Sequence, residues 1–237
     1  MTAKDFIEEL CNYKSDKELG KVEKFFKGND GITKSFGIKF GDVFKLAKKY
    51  DQMPISEINI LLDSIYYEIR MGAVSIMGFQ ARSKKTSEKT KKELFKLYLN
   101  RHDRLNNWDF VDRASYDVVG GYLVNKPRDL LYELAKSQNI WERRTAIVST
   151  FAFIKKNDVT DTFKIAEILI YDEEELINKA VGSWIREAGK KDEGKLLNFL
   201  DKYASTMPRV TLRYAIEKLN DVQKKHYMNQ GKNKTST

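Results

Sequence analysis

Apolar residues recur along this chain at the 3.6-residue period of an α-helix, and almost nowhere with the alternation of a β-strand. Proline is scarce, with three in 237 residues, and a chain poor in proline can form long helices. The pattern predicts helices over 3–13, 16–27, 39–50, 55–68, 69–82, 87–100, 108–124, 128–137, 141–155, 159–171, 173–190, 192–203, 208–219 and 220–229.

Residues that commonly begin helices precede several of these segments. Pro54 and Pro127 stand at the first turns of their helices, and Asn107 and Asn139 stand at N-cap positions. The stretch 28–40 is rich in glycine and breaks the helical spacing, so it is predicted to be a loop. The sequence therefore predicts helices joined by mostly short connections.

The helices are predicted to form an all-α solenoid of HEAT- or armadillo-like two-helix repeats, curved and organised as a single domain. Three tryptophans, at 108, 141 and 184, mark intervals of roughly 33 and 43 residues, which suit such repeats. The repeat is loose, so an irregular helical bundle is the alternative. The domain is predicted to cover 1–223, followed by a disordered, basic, polar tail over 224–237.

Composition narrows the chemistry. The chain has 43 Lys and Arg against 34 Asp and Glu, a net charge of +9. A single cysteine, Cys11, excludes internal disulfides, and two histidines, His102 and His226, argue against a histidine metal cluster. The charged N-terminus is unlike a signal peptide, and no apolar run is long enough to span a membrane. We expect a soluble, cytoplasmic, monomeric protein that uses no metal and no cofactor.

Two lysine-rich stretches carry much of the positive charge. One is the tail 224–237, which contains lysines and no acidic residue. The other has glutamates among its lysines, which are Lys84, Lys85, Lys89, Lys91, Lys92 and Lys96. Such runs can be solvated helix ends, or they can attract a polyanion such as DNA. The sequence leaves both interpretations open.

Polar residues interrupt the apolar pattern in segment 108–124. Trp108 and Asp112 share one helix face by their spacing of four residues. Asp109 lies in the first turn, where a carboxylate meets the positive end of the helix dipole. Asp112 lies a turn further in and needs another explanation. It is either the partner of a nearby arginine or a functional carboxylate.

A second interruption is Arg144, on the apolar stripe that contains Trp141, Val148 and Phe151. A cation in that position needs an anion. The anion is either Asp112, one repeat earlier, or a phosphate, which suits the planar fork of arginine.

The third is segment 173–190, where Trp184 belongs to an apolar stripe and is expected to pack into the core. Lys179, Ser183 and Arg186 occupy a separate, polar face of that helix. Together with Arg144, they are expected to form a basic strip on the concave side of the solenoid.

Four segments together resemble the AlkD family of bacterial DNA alkylation-repair glycosylases. They are NWDFVD at 107–112, IWERRTAI at 140–147, KAVGSWIRE at 179–187 and MPRVTLRYAI at 207–216. The resemblance runs from about residue 20 to 220, in order and at compatible spacing. It implies a HEAT-like solenoid that binds duplex DNA and releases positively charged N3- and N7-alkylpurines, without metal or lyase chemistry.

The resemblance also implies roles for individual residues. Trp108 corresponds to the aromatic residue beside the lesion, Asp112 to the catalytic carboxylate and Arg144 to an arginine near the DNA backbone. Phe25 falls near a tyrosine of the cleft. The further DNA-binding candidates are Lys179, Ser183, Arg186 and Arg213.

One position departs from the family pattern. Ser183 stands where the family usually has a tryptophan of the cleft, and Trp184 follows it one residue later, about 100° around the helix. Three functions therefore remain in competition. They are an alkylpurine DNA glycosylase, a catalytically weak relative that binds DNA, and a protein-interaction scaffold.

Overall fold

The computed structural model describes residues 1–27 and 30–230. Over these residues the chain forms helices joined by loops, with one isolated β-bridge between Lys34 and Tyr66. Contacts between the helices divide the chain into two compact units, Met1–Asn125 and Lys126–Thr237. We call them the N-terminal unit and the C-terminal unit.

Eight α-helices and a π-helical segment make up the described part of the N-terminal unit. The α-helices are α1 (Ala3–Cys11), α2 (Asp16–Glu23), α3 (Phe40–Lys49), α4 (Ile55–Leu62), α5 (Tyr67–Arg82), α6 (Glu88–Asn100), α7 (Trp108–Ser115) and α8 (Gly121–Leu123). The π-helical segment, Tyr116–Gly120, joins α7 to α8. Helix α5 packs against α3, α4 and α7, so it lies at the centre of this unit.

Eight further helices form the described part of the C-terminal unit. They are α9 (Asp129–Leu134), α10 (Ile140–Ser149), α11 (Phe151–Ile154), α12 (Thr160–Leu169), α13 (Glu175–Gly189), α14 (Glu193–Tyr203), α15 (Arg209–Ala215) and α16 (Asp221–Asn229). Helix α13 is the central one, because it packs against α10, α12, α14 and α15.

The predicted all-α class is confirmed. Helix α5 packs on its chain neighbours α4 and α6 and also on α3 and α7, and α13 packs on its neighbour α14 and on α15. Helical repeat proteins bury their apolar faces in this way. The predicted curvature and the single domain over 1–223 stay predictions.

The predicted boundary between helices 55–68 and 69–82 is wrong. Helix α4 ends at Leu62 and α5 begins at Tyr67, with extended backbone at Tyr66 between them. The Lys34 N–H donates to the Ile65 carbonyl at 2.9 Å, and the Tyr67 N–H donates to the Lys34 carbonyl at 2.8 Å. The apolar spacing could not indicate this break, because its cause is pairing with a distant loop.

Two other predicted helices are interrupted. Segment 108–124 contains the π-helical turn, and segment 141–155 is divided at Thr150 into α10 and α11. The Thr150 hydroxyl donates to the Ile147 carbonyl at 2.7 Å, a local bond that competes with helical hydrogen bonding. Segment 128–137 shortens to α9, and segment 208–219 shortens to α15.

The predicted tail begins too early. Helix α16 continues to Asn229, and Arg209 donates to the carbonyls of Met228 at 2.7 Å and Gln230 at 3.2 Å, which secures its end. The rest of the predicted tail, 231–237, lies outside the described residues. No helix among the described residues is both long enough and apolar enough to cross a membrane.

Helices α13 and α15 approach each other closely at Gly182. A Cβ atom at Gly182 would lie 2.5 Å from the Thr211 carbonyl oxygen and 2.6 Å from the Tyr214 Cβ atom. Both distances are far shorter than ordinary van der Waals contact. Glycine at this position therefore permits the packing of the two helices.

Replacing Gly182 with alanine is expected to destabilise the fold by about 2 kcal/mol, because the added methyl group overpacks the α13–α15 contact. The free energy of unfolding in urea measures this. The control is Gly194→Ala on α14, whose Cβ would meet nothing closer than 3.6 Å and should stabilise the helix slightly. Equal effects of the two substitutions would contradict the packing argument.

Candidate functional site

Helix α7 carries Trp108 and Asp112, the two residues for which the family resemblance implies a catalytic role. Trp108 is its first residue and Asp112 lies one turn later, so the two side chains start from one face of the helix. Both side chains are partly buried and partly accessible. The indole and the carboxylate are therefore separated by about one helical turn along α7.

The structure brings Phe25 to Trp108. The Trp108 indole Nε1–H donates to the Phe25 carbonyl oxygen at 3.1 Å. The Phe25 ring is 43% exposed and packs edge-on against Phe40, with the ring centroids 5.2 Å apart. An accessible aromatic ring thus belongs to the segment that is hydrogen-bonded to Trp108.

Asp109 has a structural role that the helix dipole alone did not predict. Its carboxylate accepts hydrogen bonds from the Tyr67 hydroxyl and, at 2.6 Å, from the Asn107 side-chain amide. The Tyr67 ring lies 4.9 Å from the ring of Phe110. Asp109 thereby links the first turn of α7 to the first residue of α5.

Arg113, the neighbour of Asp112, is turned towards the interior of the N-terminal unit. Its Nε–H donates to the Ser75 hydroxyl at 3.0 Å, and its guanidinium lies 3.9 Å from the centroid of the Phe44 ring. Burial lowers the pKa of Arg113 below its ordinary value. This arginine stabilises the packing of α7 on α5.

Arg144, in the C-terminal unit, is 5% exposed. Its guanidinium donates to the Leu176 carbonyl at 2.6 Å, in the first turn of α13. This burial argues against the direct phosphate contact predicted from the sequence, because little of the guanidinium surface can reach DNA. The predicted pairing with Asp112 stays a prediction.

The predicted basic face of α13 is largely neutralised by local ion pairs. Lys179 lies 2.8 Å from Glu175, and the hydrogen bond that its ammonium donates to this carboxylate raises the pKa of Lys179. Arg186 is mostly covered and is paired with Glu187 at 3.2 Å and with Glu217. A phosphate at either cation would have to displace these carboxylates.

Arg213 differs from the other basic candidates. It lies in α15, its side chain is exposed, and none of the described residues forms an ion pair or hydrogen bond with it. The adjacent Tyr214 is also exposed. Of the predicted phosphate contacts, Arg213 is the most accessible cation in the C-terminal unit.

The expectation that Trp184 packs into the core is confirmed. Its ring lies against the buried cluster of Ile154, Val159 and Ala188, and its Nε1–H donates to the Val148 carbonyl at 3.0 Å. Ser183 is partly exposed on the neighbouring face, four residues after Lys179. The tryptophan in this segment therefore serves packing between α10 and α13.

The polar residues that support Trp108 were not predicted from the sequence. Asn107 does occupy the predicted N-cap position, but its side chain does not cap α7, whereas Asn139 caps α10 through the Trp141 N–H at 2.9 Å. Glu68 and Arg70 were not singled out either, although both are charges within the apolar run of α5. The presence of two charges within that apolar run was the feature of the sequence that could have indicated their role.

Among the described residues, no cluster of three acidic, histidine or cysteine side chains could hold a metal ion.

Residues 6–219 match the model of a protein family described as DNA alkylation repair enzyme. This chain belongs to that family. The match covers nearly the whole of both units and includes every predicted site residue. The family resemblance predicted from the sequence is thus confirmed.

A solved structure supports the same fold. It is described as "Predicted DNA alkylation repair enzyme from Enterococcus faecalis", and it is 17% identical in sequence to this chain with a TM-score of 0.67. The similarity covers 88% of this chain and 97% of that one. A search of curated proteins found no match.

Truncating the displaced tryptophan tests its packing role. Trp184→Ala is expected to lower the free energy of unfolding by about 3 kcal/mol, since a partly buried aromatic ring and its hydrogen bond are removed. Ser183→Trp, which changes the partly exposed neighbour, is expected to change it by less than about 1 kcal/mol. Urea denaturation measures both. A destabilised Ser183→Trp with a stable Trp184→Ala would reverse the assignment of the two faces.

Proposed function

We propose that this protein is a DNA glycosylase that hydrolyses the N-glycosidic bond of positively charged N3- and N7-alkylpurines in duplex DNA. The observation that carries the proposal is the pairing, on one face of α7, of an accessible carboxylate, Asp112, with an indole, Trp108, that is hydrogen-bonded at its N–H. Membership of a DNA alkylation repair family supports it.

The chemistry needs little beyond a carboxylate. An N3- or N7-alkylated purine already carries a positive charge, so it leaves as a neutral base without a general acid. The N–C1′ bond breaks, its electron pair goes to the base nitrogen, and the sugar becomes an oxocarbenium-like cation. Asp112, when ionised, would stabilise that cation and orient the water that adds to C1′, and the proton of that water passes to Asp112 or to solvent.

The aromatic side chains suit a cationic base. The face of an indole attracts a cation by about 1–2 kcal/mol when water is excluded. We assign this contact to Trp108, with Phe25 as a second aromatic group on the segment bonded to it. A neutral purine would receive less of this attraction, so the same groups favour the alkylated base.

The C-terminal unit is proposed to contact the DNA backbone. Arg213 is the first candidate because it is exposed and has no partner among the described residues. Lys179 and Arg186 would add contacts once their present glutamate partners exchange with phosphates. Ser183, on the same face, would add a hydrogen bond to the backbone. Arg144 is proposed to hold α10 to the start of α13.

The protein is proposed to act as a monomer in the cytoplasm, on duplex DNA.

One observation favours the second candidate, a relative that binds DNA without releasing bases. Ser183 stands where the resemblance leads us to expect an aromatic side chain of the cleft, and Trp184 is held in the core by Val148. The site would then lack one aromatic wall. The scaffold hypothesis predicts an apolar binding groove, whereas α13 presents ion pairs on its polar face.

Asp112→Asn tests the mechanism, because it keeps the shape of the side chain and removes the charge. Release of 7-methylguanine from methylated duplex DNA, measured under single-turnover conditions, is expected to fall at least about 10²-fold. Binding to undamaged duplex and the free energy of unfolding should change little.

The matched control for this substitution is Asp103→Asn, also in the N-terminal unit. Asp103 is exposed and takes part in a 3.5 Å ion pair with Arg101, and exposed pairs contribute little to stability. Its variant should release the base at the wild-type rate. Unchanged release by Asp112→Asn would refute the mechanistic assignment.

Salt titration tests the proposed backbone contact. The logarithm of the DNA association constant should fall linearly with the logarithm of the salt concentration, and Arg213→Gln should reduce the slope by about 0.9 if one phosphate contact is lost. The control is Lys164→Gln on α12, an exposed lysine that the proposal leaves off the DNA. Equal slopes for the wild type and the Arg213 variant would remove this contact from the proposal.

A further inference from the structure

The loop between α2 and α3 is bound to the rest of the N-terminal unit by many polar contacts. We call its described residues, 24–27 and 30–39, the strap. It carries Phe25, and it contains no regular secondary structure apart from the bridge at Lys34. What positions this segment therefore decides where Phe25 stands.

The first anchor is Asn107, whose side chain is fully buried. Its Oδ1 accepts from the Lys27 N–H at 2.9 Å, and its Nδ2 donates to the Phe25 carbonyl at 3.0 Å. The same amide nitrogen donates to Asp109 at 2.6 Å. One side chain thus holds the backbone on both sides of Phe26, and it shares the Phe25 carbonyl with the Trp108 indole.

Asn107 serves the strap at the expense of its own helix. It stands at the N-cap of α7 with extended backbone, where an asparagine side chain normally accepts from an N–H of the first turn. Here that hydrogen bond is not made. A capping hydrogen bond typically stabilises a helix by about 1 kcal/mol. The Asn107 side chain forgoes this stabilisation and binds the strap instead, so the orientation of its amide is a specific feature of the site.

A second anchor follows from the neighbouring residue, Asn106. Its Nδ2 donates to the Asp30 carboxylate at 2.8 Å, and its Oδ1 accepts from the Arg70 guanidinium at 2.6 Å. Partial burial raises the pKa of Asp30, but hydrogen bonds from Thr33, Ile32 and Asn106 outweigh it and lower the pKa to about 2. Asp30 thus remains ionised at physiological pH and keeps the strap bound to Asn106.

The third anchor is Glu68, a fully buried carboxylate. It accepts from the Ser35 hydroxyl at 2.6 Å and from the backbone N–H groups of Phe36 at 3.0 Å and Ile38 at 3.2 Å. Arg70, which is 1% exposed, also donates to the Thr33 hydroxyl. Both buried charges of α5 therefore find partners in the strap.

We propose that Asn107 is a positioning residue that clamps the strap to the first turn of α7, so that Phe25 stands beside Trp108 as one wall of the site for the alkylated base. This inference rests on the proposed function. The proposed function is extended here to Asn107, a residue that touches neither the base nor the DNA. Small displacements of groups around a reacting centre can reduce rates strongly, so loss of the clamp is expected to affect base release through Phe25.

The test is a double-mutant cycle between Asn107 and Phe25. In Asn107→Ser the new side chain can still cap α7 but is too short to reach the strap. Single-turnover release of 7-methylguanine should fall about 10-fold in Asn107→Ser and about 10-fold in Phe25→Ala, the scale of one lost cation–π contact. The double variant should be no slower than the slower single variant. A double variant that releases the base about 100-fold more slowly than wild type, the product of the two single effects, would overturn the proposal.

The matched control is Asn139→Ser, the same substitution at the N-cap of α10, where the asparagine caps its helix in the usual way. It should release the base at the wild-type rate. Asn107→Asp is the second variant, for the case that Asn107→Ser does not fold. It keeps the size and the capping ability of asparagine but replaces the amide donor by a carboxylate facing Asp109.

A readout without base release separates this proposal from the proposed function. Trypsin cleaves after Lys24 and Lys27, which are both exposed in the strap, and mass spectrometry identifies the fragments. Cleavage at these two sites should be at least about 10-fold faster in Asn107→Ser than in wild type and in Asn139→Ser. A wild type that releases no alkylpurine refutes the proposed function alone. Unchanged cleavage in Asn107→Ser overturns the clamp, whatever the activity.

Discussion

The arrangement of the N-terminal unit depends on two charged side chains that are buried in its central helix. Every residue of α5 from Tyr67 to Gly78 is buried, and Glu68 and Arg70 are among them. A buried charge is costly unless it is paired or hydrogen-bonded. Glu68 and Arg70 meet this requirement with the strap, and the Phe25 carbonyl of the strap accepts from the indole of Trp108, the first residue of α7. Because the two buried charges of α5 need hydrogen-bond partners, they hold the strap in place, and the strap forms the surroundings of Trp108.

The C-terminal unit is organised differently, by close packing around α13. Gly182 lets α15 approach, and Arg144 and Trp184 each donate to a backbone carbonyl of a neighbouring helix. Two residues with side chains that suit DNA are thus used for packing between helices. The cations left for the proposed DNA contact are Arg213, which is exposed, and Lys179, which forms an ion pair with Glu175. The charge of a residue in this unit therefore does not by itself indicate whether the residue is available to a ligand.

The apolar periodicity predicted the helices well, because the burial of apolar faces determines both the spacing of apolar residues and the packing of the helices. It also placed Trp184 in the core, since the spacing of an apolar stripe is a direct record of packing. It failed where a helix ends for a reason outside its own sequence, as at Tyr66, which pairs with Lys34. The orientation of the Asn107 side chain could not be predicted, for a similar reason. A residue typical of N-caps gives no sign that its side chain will bond to a loop that precedes it by 80 residues.

The proposed reaction releases a positively charged base with the help of the Asp112 carboxylate and without a general acid. It is tested most directly by comparing, in the same duplex, single-turnover release of cationic 7-methylguanine or 3-methyladenine with release of neutral uracil or hypoxanthine. The account predicts release of the cationic bases and none of the neutral bases, because only a cationic base departs without protonation. Equal release of neutral bases, or release of neither class, would contradict it.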